Sequence, residues 1–325
     1  SRGRDAAEIE RESMRNRVSL VGAGLVALLL LSQPTVLLAG GEPGDAGLLF
    51  LRLGMGTREA AMGGAGVAST EGAAAAYWNP SRAALGAPGT RVMLQQQTWL
   101  GTFDYTAASL MHAGDFGAIG LTYAGFYSEE IERYSSETVG VPEGTFSPYD
   151  LAFGASYARA LSPQFAVGAQ AKVVYEKIDI YSGTVVLFDL YGTWRVARLP
   201  GLDLGVSATN LGGQMTINSE PFDAPQTITV GMAYSPLSGP LAERVTLAGD
   251  VGFFNDGNEK AHVGGEFRLV EQLALRLGYR VNYENQGLTA GAGLRVREFG
   301  LGYAYEDMSD DALDPGHRFS LEFWF

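Results

Sequence analysis

The chain has no cysteine among its 325 residues and only three histidines, His112, His262 and His317. Without cysteine there are no disulfides, thiolate zinc sites, iron–sulfur clusters or thiol nucleophiles. Three histidines are too few for a His-rich metal site. Charge is scarce too: charged residues make up 18%, where ordinary globular chains carry about a quarter. The basic sign is the scarcer, with 23 Lys+Arg against 36 Asp+Glu and a net charge of −13. A nucleic-acid partner calls for a basic patch, and this balance argues against one. No apolar run is long enough for a membrane-spanning helix, which needs about 20 residues. There is no G-x-S-x-G nucleophile elbow and no G-x-x-x-x-G-K-[ST] phosphate loop. Gly64-Ala65-Gly66 lacks the third glycine of a dinucleotide loop. The acidic groups Glu129, Glu130 and Glu132, then Asp307, Asp310, Asp311 and Asp314, do not have EF-hand spacing. These absences argue against an enzyme, a cofactor and a bound metal.

What is abundant points elsewhere. The chain holds 44 Gly, 16 Phe and 15 Tyr. Its first 40 residues read as a leader. Residues 1–13 are polar and precede Met14, a plausible true start. Arg15 and Arg17 then form a positive segment, residues 19–31 are apolar, and small residues follow at 38–41. Charge, short apolar stretch and small cleavage residues are the order of a secretory signal peptide. An exported chain without spanning helices is either soluble or a transmembrane β-barrel.

From residue 89 to 325 the sequence alternates with period two, which puts successive side chains on opposite faces of a strand. Leu273, Leu275, Leu277 and Tyr279 share one face, and Ala274, Arg276, Gly278 and Arg280 the other. Fourteen such segments fall near 89–98, 103–112, 116–127, 149–160, 164–177, 184–197, 202–211, 226–235, 243–254, 260–269, 272–283, 287–297, 299–307 and 316–325. Each has the length of a tilted strand that crosses a bilayer, ~9–11 residues. Soluble strands average nearer 5–6. Connections after even strands are mostly short. Those after odd strands are mostly longer and more acidic, as at 128–148, 212–225, 255–259 and 308–315. Short turns at one end and long loops at the other, with an even strand number, are the outer-membrane barrel pattern. Phe103, Tyr105, Tyr157, Tyr234, Phe253, Tyr283, Phe319 and Phe325 are expected as an aromatic girdle on the outer face. The fold expected is therefore an all-β, fourteen-stranded antiparallel transmembrane barrel.

Residues 41–88 do not alternate. They are small and flexible around Gly54–Gly66, and AAAAYWNPSRAAL at 73–85 suits short helices broken near Pro80. A fourteen-stranded barrel leaves a lumen, and this segment is expected to plug it as a helical hatch. Asn79 before Pro80 is kept out of the α region, and its side chain suits a turn or cap. The run FLRLGMGTREAAMGGAGVAS at 50–69, the motif Tyr77-Trp78-Asn79-Pro80-Ser81 and the C-terminal Phe325 resemble the PorV/PorQ family. That family is related to the FadL-type long-chain fatty-acid transporters, which share the fourteen strands, the hatch and a YxNPA-like motif; Ser81 here replaces the usual Ala.

The alternation sends Lys172, Asp189, Arg195, Asp250, Glu266, Arg268, Arg276, Arg280 and Arg295 into the lumen. It also places Asp104, His112, Asp150, Gln170, Glu176, Asp203, His262, Arg297, Arg318 and Glu322 there. These form either ion pairs joining barrel to hatch or an electrostatic lining for a solute. Leu49, Phe50, Leu51, Tyr77 and Trp78 are the expected apolar ligand lining. The resemblance implies two functions. One is a channel for hydrophobic or amphipathic small molecules. The other is a type IX secretion shuttle or adaptor that binds cargo through loops 128–148 and 212–225. Outer-membrane lipid and lipopolysaccharide are the expected surroundings.

Overall fold

The computed structural model describes residues 46–134, 140–239, 241–255, 257, 259–310 and 313–325. The leader expected over 1–40, and residues 41–45 of the expected hatch, lie outside the described residues.

Fourteen antiparallel strands close into one barrel. They are β1 (Gly89–Trp99), β2 (Phe103–Gly114), β3 (Gly117–Ser128), β4 (Tyr149–Ala160), β5 (Phe165–Ile178), β6 (Tyr181–Arg195) and β7 (Leu202–Gly212), followed by β8 (Thr227–Tyr234), β9 (Val245–Phe254), β10 (Glu259–Val270), β11 (Leu273–Val281), β12 (Gln286–Val296), β13 (Phe299–Met308) and β14 (Gly316–Trp324). Each strand pairs with its sequence neighbours. Closure is made by β1 against β14, in register from Arg91↔Trp324 to Thr98↔His317. Two small hairpins, Ile131–Arg133 with Gly144–Phe146 and Met215–Ile217 with Glu220–Phe222, lie in the two longest loops.

The wall follows from the two faces of each strand. In β11, Leu275, Leu277 and Tyr279 stand exposed on the outside, while Ala274, Gly278 and Arg280 are buried inside. The same split recurs at Phe153, Tyr157, Phe188, Leu190, Leu301 and Phe319, all outward and exposed. A continuous outward apolar belt has no aqueous solution; its solvent is the lipid core. In lipid every backbone group must find an internal partner, and closure provides one at every strand.

Some expectations about facing are corrected. Phe103 and Tyr105 of β2 point inward, not out: Tyr105 is buried and Phe103 stacks on Phe126 at 5.0 Å. Asp104 and His112, in the opposite register, therefore point outward, where His112 bonds Thr90 Oγ1 at 2.8 Å. Neither face of β2 is clearly apolar. The inward one packs against hatch residues rather than water, so it takes Tyr105, Ala107 and Met111. Tyr283 also turns in, its hydroxyl 2.8 Å from His262 Nε2. Arg297 sits in the β12–β13 turn with φ 56°, beyond the end of the strand. Loop length departs from the expectation in several places: on the long-loop end the connections 100–102, 179–180, 255–258 and 282–285 have four residues or fewer. Only Asp179 and Ile180 join β5 to β6, because these strands of 14 and 15 residues run past the bilayer before turning. Conversely, 235–244 is a long connection on the short-turn end.

Inside the barrel the hatch carries three short helices, α1 (Thr57–Ala61), α2 (Ala75–Trp78) and α3 (Pro80–Ala84), with 3-10 turns at Leu49–Arg52 and Gly72–Ala74. The wall is notched to admit it. A Cβ on Gly264 would stand 2.3 Å from Met62 O, and one on Gly278 2.2 Å from Gly63 N. Part of the chain's glycine excess is thus contact between hatch backbone and strand backbone.

Leu277 lies mid-strand on the lipid face of β11. Leu277→Arg is expected to lower folding stability in phospholipid vesicles by about 2–4 kcal/mol, the depth-dependent penalty for arginine near the midplane. Reversible denaturant unfolding checks this, and an unchanged midpoint would place Leu277 outside the apolar belt.

Candidate functional site

The hatch motif fixes the centre of the lumen. Asn79 is extended (φ −170°, ψ 92°), as a residue before proline prefers, and caps α3. Its Oδ1 accepts from Ser81 N–H at 3.2 Å and from Ser81 Oγ at 2.5 Å. Its Nδ2 donates to Val67 O at 2.8 Å within the hatch and to Thr193 Oγ1 at 3.1 Å on the wall. Pro80 occupies the first helical turn, where its missing N–H leaves nothing unpaired. The Tyr77 hydroxyl donates to Leu51 O at 2.5 Å, and Trp78 Nε1 donates to Met55 O at 2.6 Å. The motif thus staples three hatch segments together and to β6.

Around it the charges of wall and hatch interlock. Glu266 accepts from Arg58 of the hatch at 3.1 Å and from Arg276 of β11 at 2.8 Å. Arg58 also donates to Ser69 O at 2.8 Å. Burial drives the neighbouring Glu59 carboxyl above its usual range, although Arg58 lies 3.7 Å away. Arg82 of α3 meets Asp203 at 2.8 Å, and Val67 N–H donates to Asp250 Oδ2 at 2.8 Å. Towards the loop end, Glu306 is held by Arg318 at 3.0 Å, by Arg280 and by Gln97. Arg318, 1% exposed, donates onward to Gly54 O and Leu53 O. Lys172 pairs with Asp189 at 2.8 Å, and Asp189 accepts from Asn210 N–H at 2.6 Å, where the register between β6 and β7 shifts.

The structure places all nine candidate lumen charges on the inner face. Lys172, Asp189, Asp250, Glu266 and Arg280 are buried at the seam between wall and hatch. Arg276 is half-buried in the same seam, and Arg195, Arg268 and Arg295 are more open, at the short-turn end. Glu306 was not among the expected residues, although Gly300, Gly302, Ala304 and Glu306 share its face. Arg58, Glu59 and Arg82 were missed as well, since a short irregular segment has no period to mark them. Among the described residues, no group of three or more His, Asp or Glu converges as a metal site.

Two cavities flank the hatch. The lower, about 620 Å3, opens at the short-turn end between Arg82, Arg91, Arg195, Arg268, Arg276 and Arg295, with Glu59, Glu71, Glu266, Glu271 and Glu322 interspersed. The upper, about 640 Å3, lies beneath the long loops. Its apolar part is formed by Leu49, Phe50, Leu51, Tyr77 and Trp78 of the hatch with Trp99, Phe126 and Phe254 of the wall. Phe50, Phe126 and Phe103 form a stacked row, at 6.5 Å and 5.0 Å. Leu49 is 57% exposed, an apolar side chain left bare inside the lumen. Phe50 and Leu51 are buried in the apolar cluster below it. Polar groups face this surface: Asp150 and Glu176 from β4 and β5, and His262 and Arg280 from β10 and β11. The arrangement offers an apolar surface with dipolar walls, the makings of a small-molecule pocket.

No protein-family model and no curated protein sequence matches the chain. Solved structures share its fold. The Pseudomonas putida toluene transporter TodX superposes with a TM-score of 0.61 at 14% identity, over 84% of this chain and 99% of that one. The Ralstonia pickettii toluene transporter TbuX gives 0.56 at 15% identity, over 84% and 98%. A Pseudomonas aeruginosa FadL homologue gives 0.55 at 11%, over 83% and 98%.

Glu306 lies between two buried guanidinium groups. Glu306→Leu leaves both uncompensated and is expected to destabilise the protein by about 3–5 kcal/mol. A thermal or denaturant midpoint equal to wild type would mean that the pairing carries no net stability. Closed strands, lipid-facing belt, plugged lumen and shared architecture make the chain a fourteen-stranded barrel of the Gram-negative outer membrane, built like the FadL-type transporters.

Proposed function

We propose that the barrel carries hydrophobic or amphipathic small molecules across the outer membrane, capturing them in the upper cavity above the hatch. The observation that supports this reading most is the apolar part of the upper cavity, where exposed Leu49 stands with partly buried Tyr77, Trp78 and Phe126. A purely structural plug has no use for a bare leucine facing a cavity of about 640 Å3. The shared fold with transporters described as carrying toluene agrees with it. We read the cavity as a place of binding, not reaction. His262 is engaged by Tyr283, and His112 and His317 lie on the outer face.

The probe residue is Leu49, because Trp78 is built into the hatch through Met55 O and its loss would disturb folding. Leu49→Asp is expected to cut uptake of toluene and of dodecanoate about tenfold, equivalent to roughly 1.4 kcal/mol of binding, with an unchanged melting temperature. Uptake equal to wild type for both would discard the upper cavity as the capture site.

One observation favours a second reading. All fourteen neighbouring strand pairs join in one closed barrel, and the hatch stands between the two cavities of the lumen. A closed barrel suits a secretion adaptor of the PorV kind, which the residues at 50–69 resemble. Its cargo would dock on loops 128–148 and 212–225, and lipopolysaccharide would surround the outer face. Under this reading, exchanging 128–148 for a short turn abolishes recovery of an exported protein or translocon subunit with the barrel from native membranes. Unchanged recovery excludes that loop as the docking surface.

A further inference from the structure

The first described residues of the hatch, from Ala46, form a strap at the loop end of the lumen. Ala46 forms a parallel bridge with Asp223 of the β7–β8 loop, and Gly47 N–H donates to Asp223 O at 3.1 Å. The hairpin in that loop, Met215–Ile217 with Glu220–Phe222, turns through Asn218 and Ser219, both left-handed (φ 50° and 71°). It folds inward rather than into solvent. Met215 is 1% exposed, and the Phe222 ring covers Gly47, where a Cβ would come within 2.4 Å of it. Met215, Ile217, Phe222 and Ala224 join Leu48, Phe50 and Leu51 in one apolar cluster with the wall.

The two parts of the hatch are held differently. Residues 57–82 are tied to the wall by Arg58–Glu266, Arg82–Asp203, Val67–Asp250 and Asn79–Thr193. From Ala46 to Leu51, the described hydrogen bonds beyond the local 3-10 turn are two: Gly47 N–H to Asp223 O, and the Tyr77 hydroxyl to Leu51 O. The hairpin leans on the wall through Met215, Thr216 and Ile217, which lie against Gly183 of β6, while its hydrogen bonds to its surroundings sit on its C-terminal side. Pro225 O accepts from Asn210 Nδ2 and Thr227 Oγ1, and Ala224 O from Asn255 Nδ2, while Gly213 on the other side stands in open space.

We infer that the strap 46–51 and the hairpin 215–222 form a single latch that closes the loop end of the lumen and opens as a unit while residues 57–84 stay on the wall. As a gate the latch rests on the transport reading; as a cooperative unit it does not.

The absence of cysteine allows a clean test. Bridge partners lie within disulfide reach, so Ala46→Cys with Asp223→Cys should oxidise to lock the latch. Hydrogen exchange on the full chain in detergent is the first readout. Amides 47–51 and 215–222 are expected to exchange together, about tenfold or more faster than those of 57–84, and to slow together on oxidation. The second readout is admission of N-phenyl-1-naphthylamine into vesicles carrying the protein. Oxidation should cut it about tenfold, and dithiothreitol should restore it. Strap amides that exchange at the rate of 57–84, or an oxidised protein that admits the probe as the reduced one does, overturn the latch. If exchange follows the expected pattern but no form admits the probe, the latch stands and the transport reading falls.

Discussion

A wall of fourteen strands encloses more space than its own side chains fill, and it points charged groups into that space. The hatch must therefore bring volume and counter-charge together. Glu266 illustrates the constraint: it faces Arg276 on the neighbouring strand but is also held by Arg58, which reaches it from the hatch. Asp250 and Asp203 depend on Val67 N–H and Arg82 in the same way. An isolated buried charge is far costlier than a paired one, so neither wall nor hatch is electrostatically complete alone. The glycine notches follow from the same demand. Hatch backbone at Met62 and Gly63 can reach Thr289 on the wall only where Gly264 and Gly278 let it pass.

The constraint also separates the two ends of the lumen. Below the hatch the wall supplies arginines from β10, β11 and β12, and the hatch answers with glutamates, so the surface there is mixed and strongly charged. Above it the hatch presents Leu48–Leu51 and Tyr77–Trp78, and the wall answers with Phe126, Val174 and Leu187. The asymmetry gives the loop end an apolar pocket and the turn end a charged vestibule. A molecule that prefers apolar surface would dwell at the loop end.

How far this was legible in the sequence depended on contrast between faces. In β11, leucines alternate with arginines and glycine, and both strand and facing could be read directly. In β2, FDYTAASLMHAG offers small and mixed residues on both faces, so alternation marks the strand but not its inner side. The inner face there meets hatch residues such as Phe50 and Ala76, and apolar groups are right inside as well as outside. Tyr283 misled for a related reason. An aromatic at a strand end suits the girdle, yet here it turns inward to His262 on the neighbouring strand. The hatch was recognisable by its lack of period and its Asn79-Pro80 pair. The wall partners of Arg58 and Arg82 were not, because Glu266 and Asp203 come from strands far along the chain and no local pattern encodes that distance.

The energetics of the seam limit how the lumen can open. Withdrawing the whole hatch would break the Arg58–Glu266 and Arg82–Asp203 pairs and strip the wall from Asn79 and Val67. Each buried pair broken on one side costs about 3–5 kcal/mol. Exposing Phe50, Leu51, Met55 and Met62, all buried, adds about 1.5–3 kcal/mol per side chain. A ligand of toluene's size has about seven heavy atoms, and even the best tiny ligands gain at most about 1.5 kcal/mol per atom. Its whole binding energy, about 10 kcal/mol at the ceiling, falls short of that sum. A small apolar solute therefore has no means of expelling the hatch. Any passage it drives must run through a part of the plug held by packing alone, with the ionic seam left intact.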